Sequence, residues 1–194
     1  MCGRQNASFS FVSVLHVIAS VGAGALSGML LGGLGFVALG TLAPAPWIVS
    51  IALAVICFAY AGFHAGLYRL PMPCLRRQVR HGWRFLDAPW TSIFYGVGLG
   101  SGLHVHIRFA GLYVVTAGSV LSASPRIGAA LFGLYGLCRA LPVPVFGALH
   151  RDPAQTESTF TWLSDERNFG LRRLRAWSLL VVGLWLVAVA WIRS

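Results

Sequence analysis

Long apolar blocks alternate along the chain with short polar or proline-bearing breaks. Segment A runs from about Phe9 to Leu42, longer than the ~20 residues a helical span needs, so it tilts, kinks or contains a broken turn. Ala43-Pro-Ala-Pro-Trp47 closes it, with Trp47 suited to a membrane interface. Segment B follows from about Ile48 to Tyr68 and stops at Arg69-Leu-Pro-Met-Pro73, because proline breaks the helical ladder. Segment C covers about Thr91 to Leu121, and Ser122-Ala-Ser-Pro125 turns the chain into segment D, about Arg126 to Leu149. Segment E, about Ala176 to Ile192, is an uninterrupted last span.

Two stretches break this rhythm. Between Cys74 and Trp90, Leu75, Val79, Trp83, Leu86 and Trp90 recur every three or four residues, with Arg76, Arg77, Arg80 and Arg84 between them. That spacing predicts an amphipathic helix lying in the bilayer interface, with Asp87 able to pair with Arg84. His150 to Arg175 reads as a soluble loop, within which Ser164-Asp-Glu resembles a helix start.

The pattern predicts an all-α polytopic membrane bundle of five principal spans, rising to six or seven if A or C breaks into separate crossings. It is read as one transmembrane domain: a first hairpin (1–68), an interfacial helix (74–90), a second hairpin (91–149), a loop (150–175) and a last span (176–192). An internal repeat fits this division. Gly22, Gly24, Ser27 and Gly28 match Gly96, Gly98, Ser101 and Gly102 at a constant offset, and both halves end in Leu-Pro-x-Pro. Two unrelated glycine-rich hairpins would give the same signature.

Composition reinforces the membrane reading: 57% of the residues are apolar and only 10% charged, against ~25% charged in an average soluble domain. The 15 basic residues are all arginine, and with five acids they give a formal charge of +10. They lie mainly in loops, which points to topology and anionic lipid rather than nucleic acid. The two most basic loops, 69–90 and 150–175, are expected in the cytoplasm of a bacterial plasma membrane. With C and D crossing between them, the N-terminus is also cytoplasmic. Met1 to Ser8 carry only Arg4 as a charge, and the apolar run after them is too long for a signal peptide, so segment A reads as a retained helix.

Ionisable groups inside spans are expensive and usually face a bundle interior or an aqueous cavity. Counted from the turns at 1.5 Å per residue, His64, His104, His106, Arg108 and Arg139 fall in one layer, about 22 to 30 Å from the far face. They are the candidate substrate-binding residues, lining a cavity for an anion, proton or metal; snorkelling to nearby headgroups is the competing reading. His104 and His106 share one metal only if the helix is broken there, and the glycines before them favour a break. Cys57 and Cys138 lie at matching depths and form a candidate redox pair, although buried cysteine is also an ordinary small apolar residue. No CxxC pair, catalytic triad, paired carboxylates or phosphate loop appears, and no cofactor is specified.

Phe94-Tyr-Gly-Val-Gly-Leu-Gly-Ser-Gly-Leu-His-Val-His106 and Cys138-Arg-Ala-Leu-Pro-Val-Pro144 resemble spans of the CcdA/DsbD-type membrane reductant transporters of cytochrome c biogenesis. The likeness covers about 130 residues and implies a small carrier of reducing equivalents or solute, partnered by thiol-redox proteins. The family's cysteine position falls on His104, and no Cys-Pro motif opens the chain, so its dithiol mechanism does not transfer. Two further readings stand beside it. One is a non-catalytic membrane subunit or assembly factor docking through Trp83 and the 150–175 loop; the other is a metal- or haem-binding membrane protein.

Overall fold

The computed structural model describes residues 2–40, 45–68, 86–102, 110–149, 155, 158 and 169–193, with side chains from residue 9 to residue 192. Among the described residues the bounded helices are α1 (Cys2–Leu39), α2 (Pro46–Ala65), α3 (Ala88–Ser101), α4 (Gly111–Leu121), α5 (Pro125–Ala140), α6 (Pro142–Leu149) and α7 (Phe169–Arg193). No strand occurs among the described residues. Four helical stretches are long and apolar enough to cross a bilayer: Phe9–Leu39, Pro46–Ala65, Pro125–Leu149 and Phe169–Ile192. The protein is a helical membrane bundle.

Burial runs opposite to that of a soluble domain. Side chains such as Leu30, Val37, Trp185 and Trp191 are exposed, while Ser13, His16, Ser20, Ser50, His64 and Ser119 are buried. Lipid solvates the large apolar groups, so helices associate through small residues that allow close backbone contact. Helix α1 follows this rule along its length. Gly24, Gly28, Gly32 and Gly35 lie against the backbone of Phe132, Gly128, Ser124 and Val120 respectively. Gly96 and Gly100 of α3 meet the carbonyls of His16 and Ser20 on the same helix. Ser20 is the focus: it is fully buried, Gly100 and Gly136 both abut its carbonyl, and its hydroxyl donates to Gly136 O at 3.0 Å.

The described residues of segment C form two shorter helices, α3 and α4, neither of which is among the stretches long and apolar enough to cross alone. α3 lies beside the first half of α1, where the Ser92 hydroxyl donates to Val12 O at 2.7 Å. α4 ends beside the last turns of α1, with Val120 against Gly35. Both advance in the direction of α1. α3 stops at Gly102, which takes a left-handed φ of 70°. Segment A, by contrast, is a single unbroken helix over its described residues. The glycine-matched stretches of the two halves therefore differ in conformation: Gly28 is mid-helix, and its counterpart Gly102 terminates one.

α2 and α7 form the second packing unit, and α2 also touches α4. Tyr60 stacks on Tyr113 with ring centroids 5.4 Å apart, and Ala61, Ala110 and Leu179 are buried together. Leu53 lies near Gly118, so α2 runs antiparallel to α4 and hence to α1. The C-terminal end of α2, the start of α7, the N-terminal part of α1 and the start of α3 all face one end of the bundle. Phe9 packs on Gly147 of α6 at that same end.

Two element boundaries differ from the sequence reading. Trp90 belongs to α3 rather than to an interfacial helix, because Asp87 is extended (ψ 150°) and Pro89 starts a new helix. Residues 74–85 of that helix, Arg84 included, lie outside the described residues. α7 begins at Phe169, inside the stretch read as loop; arginine is a good helix former, and its long stem lets a charge ride on an apolar helix end.

Candidate functional site

A concavity carrying candidate residues lies between the end of α2 and the start of α7. α2 terminates because Gly66 adopts a left-handed φ of 85°. Its N–H donates to Phe63 O and the Leu67 N–H to Gly62 O, each at 3.0 Å, so two carbonyls of the last turn are satisfied. The chain then folds back, and the Tyr68 hydroxyl donates to Ala59 O across Gly62. This places His64 in the last turn of α2 with its ring only 6% exposed. Phe63 meets it edge-on at 5.3 Å between centroids, and its Nε2 has no hydrogen-bond partner.

α7 brings arginines to this end. Arg172 lies against Gly66, and Arg173 stands over the Phe169 ring with 4.9 Å from guanidinium carbon to centroid. Arg172 and Arg175 act electrostatically on the His64 ring. In their own helix these cations sit at the positive end of the dipole, which is unfavourable. The antiparallel α2 offsets this, because its C-terminal carbonyls carry about half a negative charge at the same place. Asp87 is the only carboxylate side chain among the described residues.

The cavity has a volume of about 460 Å³. Phe58, Ala61, Leu67, Trp177 and Leu180 supply apolar walls, and His64, Arg172 and Arg173 supply the polar groups. The size falls within the ~300–1,000 Å³ of small-molecule sites, and apolar walls with a few fixed polar groups are their usual chemistry.

Of the five residues expected in one layer, the structure places only His64 on this cavity. Arg139 turns to its own helix: Nη1 donates to the Tyr135 hydroxyl at 3.0 Å, and the guanidinium lies 5.7 Å from that ring centroid. His104, His106 and Arg108 lie outside the described residues; the described chain resumes at Ala110, fully buried against Ala61 one turn from His64. Cys57 is buried and Cys138 exposed, both are free thiols, and α2 and α5 share no principal packing interface. The proposed pair is therefore not brought together. Among the described residues no three metal-ligating side chains gather.

Sequence reasoning passed over two features. His16 is buried in the α1–α3 interface, its Nδ1 3.2 Å from Ser92 O and its Nε2 without a partner. The signal was present: Ser13, His16, Ser20, Gly24, Gly28 and Gly32 recur every three or four residues and mark one helix face. Arg172 and Arg173 were assigned to a loop, which hid their position one helix away from His64.

No protein-family model matches the chain, and no solved structure matches it either. Curated relatives do match. The chain is 30% identical to methylamine utilization protein MauF of Methylophilus methylotrophus over 115 residues, which are 59% of this chain and 39% of that protein. It is 37% identical to the Paracoccus versutus protein of that name over 94 residues, 48% of this chain and 34% of the relative. With the Methylobacillus flagellatus MauF it shares 27% over 171 residues, 83% of this chain and 58% of the relative. The matched stretch thus spans between about one third and three fifths of these relatives' length. Five curated relatives from different organisms, at 27–37% identity, all carry the name MauF. This corrects the resemblance to CcdA/DsbD-type transporters and, with it, the reading of a reductant carrier. The glycine approach and the Leu-Pro-x-Pro motif that carried that resemblance are packing and helix-ending devices here: glycines seat α3 on α1, and the prolines divide α5 from α6.

Proposed function

We propose that this chain serves methylamine utilization from within the membrane, as an integral component that presents one arginine-rich end. The observation that carries the reading is the single name shared by five curated relatives, one of them aligned over 83% of the chain. The arrangement of the helices is in keeping with it. The end of α2 and the start of α7 lie at one end of the bundle, next in sequence to the arginine-rich stretches, and the positive-inside rule sets that end, with the N-terminus, in the cytoplasm of a bacterial plasma membrane. Arg172 and His64 open the α2–α7 cavity at this end, and it is the site through which the protein acts.

The test is deletion of the gene in its own host, with growth followed on methylamine and on a substrate without a methylated amine. The expected result is a defect confined to methylamine and restored by a plasmid copy. Unchanged growth on methylamine would overturn the reading. In the same strain, His64→Leu is expected to slow growth on methylamine while the protein stays in the membrane at its normal level.

A further inference from the structure

We infer that the α2–α7 cavity is a binding site for an anionic phospholipid, with the headgroup phosphate held by Arg172 and Arg173 and an acyl chain lying along Trp177 and Leu180. The inference stands apart from the role in methylamine utilization and rests on three observations about the cavity itself. Its polar groups are of one kind: two arginines and a histidine, with no carboxylate among the described lining residues. Guanidinium groups bind phosphate oxygens through paired N–H donors, so the charge and the geometry both select a phosphate. His64 is more than nine-tenths buried and lines the same cavity with an unpartnered Nε2, a further polar atom with no partner in the protein.

The second observation is the apolar remainder of the wall. Phe58, Trp177 and Leu180 extend the cavity along the α2–α7 groove, away from the arginines and toward the interior of the span. A free inorganic anion leaves that surface uncovered, whereas an acyl chain covers it. The third is position. The cavity stands where α2 ends and α7 begins, two helices long and apolar enough to cross a bilayer, and Trp177 of α7 is 63% exposed, so a lipid enters laterally. Phosphate, acyl chain and lateral access are thus all matched by one ligand class.

The experiment uses the full chain, purified in detergent, stripped of lipid and titrated with phosphatidylglycerol or phosphatidylcholine of identical chains, with bound lipid counted by native mass spectrometry. Phosphatidylglycerol is expected to bind well below the concentration that phosphatidylcholine requires. An arginine near the membrane surface is worth roughly fivefold in affinity for anionic lipid, so Arg172→Gln with Arg173→Gln should weaken phosphatidylglycerol about thirtyfold and phosphatidylcholine little. Trp177→Ala should weaken both. Folding of each variant is checked by Cys57, which must stay unreactive to maleimide until denaturant is added, in a Cys2→Ser, Cys74→Ser, Cys138→Ser background. A second measurement needs no cavity arginine changed: brominated phosphatidylglycerol should quench the unaltered protein more than a Trp177→Phe variant, and brominated phosphatidylcholine should not. Equal affinity for the two lipids would overturn the inference. So would displacement of phosphatidylglycerol by inorganic phosphate with no dependence on Trp177, which would make this a site for the free anion.

Discussion

Ser20 shows how far a single residue sets the packing of this chain. Three helices meet at its carbonyl, and two of them do so through glycine. Gly28 is as closely seated on α5 alone, where an added Cβ would fall 2.6 Å from the Gly128 carbonyl carbon and 2.7 Å from the Phe132 Cβ. Neither neighbour is a flexible side-chain end, so the helices must separate. Gly28→Ala should therefore destabilise the protein by about 1–3 kcal/mol, read as a lowered melting temperature in detergent. Gly22 has nothing within 4 Å of its Cβ position, so Gly22→Ala should be neutral or stabilise by up to about 1 kcal/mol. The contrast matters more than either value, since both changes remove one helical glycine. Much of this was legible in the sequence: the density of glycine and serine in segment A announces close backbone approach. Which of the glycines are contacts follows from the side of the helix: Gly28 continues the face that Ser13, His16, Ser20, Gly24 and Gly32 mark, and Gly22 lies off it.

At the scale of the element, the positions of Gly66 and Gly102 explain why α2 ends before its basic loop and why segment C is split. Each takes a left-handed φ, which costs an L-residue about 1–2 kcal/mol. Gly66→Ala adds a contact at 3.1 Å with Arg172 Nη2 and should lower stability by about 1 kcal/mol, measured by thermal unfolding in detergent, and loosen the α2–α7 end. The apolar blocks A, B, D and E each became a spanning stretch, because length and hydropathy alone decide that in lipid. The break in segment C could be anticipated from its run of alternate glycines. The start of α7 could not, since three arginines within four residues read as loop unless a neighbouring helix end is present to receive them. For the same reason the cavity was only half legible. His64 stood out as an ionisable group in a span, but its arginine neighbours come from a helix more than a hundred residues away. Cys57 and Cys138 show the opposite failure: equal depth suggested a pair, and depth carries no information about which helices touch.

For the whole molecule, two packing units share one direction convention. α1, α3 and α5 form a glycine-seated unit, and α2 with α7 forms a second one joined to it through α4. The end of α1, the start of α2 and the α4–α5 turn then lie at one end, and the end of α2, the end of α6 and the start of α7 at the other. The cavity, the basic loops and the placement of the site all depend on the end of α2 and the start of α7 sharing one membrane face. The most direct measurement is accessibility to a membrane-impermeant thiol reagent, in a variant with all four native cysteines changed to serine. Single cysteines are then placed by Ala43→Cys, Gln78→Cys, Ser122→Cys and Gln155→Cys. Gln78→Cys and Gln155→Cys should label from one side, and Ala43→Cys and Ser122→Cys from the other. Labelling of Gln155→Cys from the same side as Ser122→Cys would contradict the account, because α7 would then enter the membrane from the wrong face to meet His64.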